Sequence, residues 1–116
     1  MAHRVSTQHF EALVAAVLDE VPEEFWPAFD NLVVVVEEHP PPGEDLLGLY
    51  EGVPLTERFA FDPVTLPDRI SIYRAPHCET ARDEADLVRY VRVTVLHELG
   101  HHLGLSEERL AELGWD

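Results

Sequence analysis

Apolar side chains at Phe10, Leu13, Val14, Val17, Leu18 and Val21 are spaced i, i+3, i+4, i+7, i+8 and i+11. That spacing lines one face of an α-helix and predicts an amphipathic helix from about Thr7 to Glu20, stopped by Pro22. Pro22 to Phe29 holds two prolines and three aromatics, and reads as a short helical turn that sets Phe25, Trp26 and Phe29 on the core. The β-branched run Asn31–Glu37 has strand length and lacks alternation, which predicts a strand buried on both faces. His39-Pro40-Pro41-Pro42-Gly43 is a loop. Leu47–Gly52 predicts a short strand with a bulge or turn at Gly52. A long irregular connection then runs from Val53 through Pro63 and Pro67. Arg69–Arg74 alternates apolar and polar, so a half-exposed strand at a sheet edge is expected there. A helix from about Thr80 to Leu103 follows, with Glu79, Asp83 and Glu84 placed to suit the dipole of its first turn. Ser106 is suited to cap a last short helix through Leu113, with Gly114 beyond it.

The second half of the long helix carries the chemistry. Val93 to Glu107 contains His97-Glu98-x-x-His101, followed by x-x-Gly104-x-x-Glu107. On a helix, His97 and His101 stand one turn apart and point the same way, so two imidazoles can grip one metal ion from one side. Glu98 lies about 100° round the helix, free to act as a base rather than as a ligand. Val91, Val93, Val95, Leu96, Leu99 and Leu103 cover most of the circumference, the pattern of a buried central helix. Polar groups buried there need partners, since each one left unpaired costs about 1–3 kcal/mol. Gly104 comes where a helix ends on a left-handed residue, and the chain can then turn Glu107 toward the imidazoles. Two His, one carboxylate and one water make a four-coordinate zinc site with an open position. Without a metal, the same residues form an ordinary C-capped helix with surface His and Glu.

Other residues are weaker candidates. Glu108 and Asp116 are alternative third ligands. Tyr90 and Thr94 share the face of His97 and His101 and could fix an imidazole tautomer, or simply be satisfied in a helix interface. Tyr50 and Tyr73 are candidates to steady an oxyanion. His39 and the lone Cys78 carry little signal, and His9 is expected to face solvent.

Charge narrows the partners. The 116 residues hold 8 basic and 23 acidic side chains, a net charge of −15, which argues against nucleic acid and anionic membranes. It would disfavour acidic substrates and favour basic ones. The length predicts one domain over residues 1–116. A single cysteine permits no internal disulfide and suits a reducing compartment. The first residues, Met1 to Ser6, show no apolar signal core, and a cytoplasmic location is the default expectation. An exposed edge strand would offer a route to a homodimer.

Taken together, Phe10–Val14, Gly48-Leu49-Tyr50-Glu51-Gly52-Val53-Pro54-Leu55-Thr56-Glu57-Arg58, Ile70–Arg74 and Thr94–His102 resemble the small bacterial zincin-like metallopeptidases, the minimal zincins, over about residues 6 to 114. The resemblance implies a compact α+β domain: a small mixed sheet packed on a buried motif helix, with an N-terminal amphipathic helix and a peptide cleft beside an edge strand. It implies zinc held by His97 and His101, with Glu98 as catalytic acid/base. The family pattern usually places Asp at the third ligand, where this chain has Glu107, one methylene longer. The expected function is zinc-dependent hydrolysis of peptide bonds through a metal-activated water, with Glu98→Ala abolishing turnover and leaving metal binding largely intact. The alternatives are a non-catalytic binding or dimerisation module of the same shape, with a weak or empty metal site, and a closed structural metal site. The resemblance names no substrate.

Overall fold

The structure is a computed structural model, and it describes residues 2–52 and 67–116. Most of the expected irregular connection, residues 53–66, lies outside the described residues. Helix α1 spans Thr7–Glu20 and starts where Ser6 Oγ accepts the His9 N–H at 3.0 Å. Its periodic face buries Phe10, Val14 and Val17. A 3-10 helix, Glu23–Phe29, follows at the predicted turn.

Strands β1 (Leu32–Glu37), β2 (Gly48–Glu51) and β3 (Asp68–Tyr73) form one mixed sheet in the order β1-β3-β2. β1 runs parallel to β3, and β2 runs antiparallel to it. Two expectations about faces are corrected here. β3 is the central strand rather than an edge: both its edges are paired, and Ser71 and Tyr73 are buried as fully as Ile70 and Ile72. β1, expected to be buried on both faces, is instead an outer strand whose residues are only partly covered, with Val33 42% exposed. An unbroken valine run signals strand formation, but a neighbouring strand on one side only leaves half of it uncovered.

The expected helix from about Thr80 to Leu103 begins at Glu84, and a separate short helix precedes it. β3 runs straight into α2 (Arg74–Thr80), which ends at Ala81; Asp83 then caps α3 (Glu84–Leu103) by accepting the Asp86 N–H at 2.8 Å. Pro76 sits in the first turn of α2, where its missing N–H has no helical partner to lose. Gly104 ends α3 at φ 76°, and the N–H groups of Gly104 and Leu105 reach the carbonyls of His101 and Gly100 at 3.0 Å. Ser106 caps α4 (Glu107–Leu113) by accepting the Arg109 N–H at 3.1 Å, and Gly114 closes it at φ 75°. These two glycines do what their sequence positions predict.

Leu87, Val91, Val95 and Leu99 form the fully buried seam of α3, against α1 on one side and the sheet on the other. α3 is not apolar-covered all round, however: Val88 and Val93 are about 40% exposed. Val93 lines the groove described below. Among the described residues, no helix is long and apolar enough to cross a membrane.

Candidate metal centre and groove

His97 and His101 project from one side of the last turns of α3, with ring centroids 4.5 Å apart. Ser106 and Gly104 bring the start of α4 back across them. Glu107 Oε1 then lies 3.5 Å from His97 Nε2 and 3.7 Å from His101 Nε2. One donor atom from each of these three residues falls within 4.8 Å of the others, and no other such group exists among the described residues. Tetrahedral coordination at about 2.0–2.1 Å sets neighbouring donors about 3.3–3.5 Å apart, so this set fits zinc in both chemistry and spacing. Glu107 is the carboxylate that joins the two imidazoles in this group; Glu108 and Asp116 are exposed and stand outside it. The extra methylene of Glu107 relative to Asp is accommodated.

Glu98 points elsewhere from the same turn. It is only 7% exposed, and its Oε1 stands 3.0 Å from His101 Nδ1. A carboxylate there favours the tautomer with the proton on Nδ1, which leaves the Nε2 lone pair for a metal. Glu98 also lines an open groove of about 350 Å³, whose walls are Asp45, Leu46, Leu47 and Gly48 on one side and Val93, Thr94, His97 and Glu98 on the other. Gly48 makes the close approach of the two walls feasible. A Cβ there would lie 2.7 Å from Thr94 Cγ2 and 3.3 Å from Glu98 Cγ.

A family model described as a zincin-like metallopeptidase matches residues 29–115. The chain belongs to that family. Among solved structures it is similar to a conserved hypothetical protein from Thermus thermophilus, with 33% identity over 93% of this chain and 99% of that one, and a TM-score of 0.60. No curated protein matches. The small mixed sheet packed on the motif helix is the expected zincin-like arrangement.

Within this zincin-like domain several weaker candidates have other partners. Thr94 Oγ1 lies 2.9 Å from His77 Nε2 and donates to the Tyr90 carbonyl at 2.9 Å. Tyr90 is half-buried against the core, with the Arg89 guanidinium 5.1 Å over its ring. The Tyr50 hydroxyl donates to Asp68 Oδ2 at 2.7 Å, and Tyr73 is buried, its hydroxyl pKa raised by desolvation. Neither tyrosine lines the groove, so neither is placed for an oxyanion. Cys78 is a buried free thiol. His9 is exposed as expected, and its Nε2 lies 2.8 Å from Glu84 Oε2.

Two buried histidines escaped the sequence reading. His102 Nδ1 is 2.8 Å from Asp68 Oδ2, and its Nε2 is 2.8 Å from the Ala28 carbonyl. It therefore ties α3 to the start of β3 and to the 3-10 turn. A signal existed: adjacent helix residues diverge by about 100°, so only one of His101 and His102 can face the metal with His97. His77, on α2, is likewise buried, with Nδ1 2.7 Å from the Tyr73 carbonyl.

Proposed function

We propose that this zincin-like protein is a zinc-dependent peptidase, with His97, His101 and Glu107 as the metal ligands and Glu98 as general base. The observation that carries this reading is the convergence of three zinc-type donors beside a nearly buried carboxylate that lines an open groove. Zinc bound there would supply Lewis acidity toward a substrate carbonyl and toward water. The chain's own residues do the rest. β2 and α3 hold a peptide in the groove beside His97, and Glu98 takes the proton from the attacking water and returns it to the leaving amine. Its burial between Gly48 and Thr94 limits the positions its carboxylate can sample. A closed structural zinc site is disfavoured, because the described residues offer only three donors and Glu107 is exposed. The net charge of −15 fits a peptide partner rather than nucleic acid.

The test pairs metal content with turnover. Untagged protein purified without added metal should carry about one zinc per chain, and Glu107→Ala should lose it. Zinc-loaded wild type should cleave members of a peptide library, and Glu98→Gln should cleave them about 100-fold or more slowly. Wild-type rates in Glu98→Gln would remove Glu98 from the chemistry. Full zinc without cleavage of any peptide would turn the assignment to a non-catalytic binding module.

A further inference from the structure

The groove beside Glu98 has a chemical bias that the metal site does not require. Its wall from β2 and the preceding loop combines Leu46, Leu47 and the bare backbone of Gly48 with Asp45 at the mouth, and Val93 supplies the facing apolar surface. The segment that bears this wall, residues 44–51, carries Glu44, Asp45 and Glu51 and no cation.

Among the described residues, six arginines are committed to carboxylates elsewhere. Arg69, Arg74, Arg82, Arg92 and Arg109 are paired with Glu37, Glu38, Asp86, Glu20 and Glu112 respectively. Arg89 stands one turn before Val93 on the same face, and its Nη2 is held 2.7 Å from Asp86 Oδ1. A groove with apolar walls and one sign of charge focuses its field on the ligand.

Resting on the peptidase reading, we propose that the substrate is a cationic peptide: an apolar side chain seats against Leu46, Leu47 and Val93, and a neighbouring Arg or Lys side chain reaches Asp45. The apolar contact gives position. The charge gives selection, because an acidic peptide entering past Asp45 meets repulsion with no Arg or Lys among the described lining residues to relieve it.

Binding measured apart from turnover tests this. Zinc-loaded Glu98→Gln protein is titrated against three fluorescein-labelled peptides, Gly-Xaa-Leu-Leu-Xaa-Gly with Xaa as Arg, Gln or Glu, and Kd is read by anisotropy. At about 10 mM salt, where the Debye length is about 30 Å, the Arg peptide should bind at least about tenfold more tightly than the Glu peptide. At about 1 M salt, with a Debye length of about 3 Å, the ratio should fall to about twofold or less. Asp45→Asn should shrink the low-salt ratio several-fold, and circular dichroism checks that the variant is folded. Equal affinities, a preference for the Glu peptide, a ratio untouched by Asp45→Asn, or no binding of any of the three would each overturn the proposal. Charge-ordered binding by Glu98→Gln with no peptide cleavage by wild type would instead sink the peptidase reading and leave the binding preference standing.

Discussion

The Glu98 carboxylate stands 3.0 Å from His101 Nδ1 and also lines the groove. That contact changes the expectation drawn from the motif alone, in which Glu98→Ala leaves zinc binding intact. A carboxylate beside one ring nitrogen favours a proton there and a lone pair on the other, and loss of such partners from a ligand imidazole typically weakens metal affinity by about 10–100-fold. Glu98→Ala should therefore weaken zinc binding by about tenfold as well as stopping turnover. Glu98→Gln keeps a carbonyl oxygen in place and should stay within about threefold of wild type. Competition with a zinc-sensitive dye measures both, and equal affinity in all three proteins would show that the 3.0 Å contact does not tune His101. The four residues of the proposed site were legible because their placement is local: one helical turn separates the His, and Gly104 and Ser106 announce the turn that returns Glu107. His102 and Asp68 were not, because they meet across 34 positions and no short spacing encodes that pairing.

Glu107 is only as well placed as the helix that begins with it. α4 seats on α3 where Leu110, fully buried, packs over Gly100; a Cβ on Gly100 would come 2.1 Å from Leu110 Cδ2. Gly100→Ala adds helix propensity worth about 1 kcal/mol, but forcing a methyl into a filled contact costs about 1–3 kcal/mol. The net effect should be a destabilisation of up to about 2 kcal/mol, with α4 pushed outward and zinc affinity lowered by about tenfold through Glu107. The double variant Gly100→Ala/Leu110→Ala should recover zinc affinity without recovering stability, since the space returns but the buried leucine is lost. Urea unfolding and dye competition read the two effects separately. If Gly100→Ala binds zinc as wild type does, the seat of α4 does not govern Glu107. The sequence announced α4 through its caps, but not which α3 residue it lies against. The same gap explains β3. Its alternation correctly indicated a strand, while its central place depended on β1 and β2 both choosing it as a neighbour.

His77 shows what holds these layers together. Carried by α2, it is fully buried with its ring 5.4 Å from Phe10 of α1, its Nδ1 2.7 Å from the Tyr73 carbonyl at the end of β3, and its Nε2 2.9 Å from Thr94 Oγ1 of α3. α2 has no apolar period to reveal it, so the histidine that joins three elements was invisible to pattern reading. Burial holds its pKa below the ordinary 6.5, because desolvation penalises the imidazolium more than the nearby carbonyls favour it. A neutral ring with its proton on Nδ1 donates to the Tyr73 carbonyl, and its Nε2 lies against Thr94 Oγ1. The direction of the shift fixes the sign of the pH dependence. As pH falls through about 6.5 the unfolded chain protonates this histidine before the folded one does, so the stability it contributes is present above that pH and lost below it. One such group contributes a slope of at most about 1.4 kcal/mol per pH unit. Urea unfolding in EDTA should thus show wild type losing stability between about pH 6.5 and 5. His77→Gln should start lower at about pH 7.5 yet fall less steeply over that window, and the difference between the two curves isolates His77 from the exposed histidines. Parallel curves would mean that His77 titrates alike in folded and unfolded chains, and that the core between α1, β3 and α3 admits water at its centre.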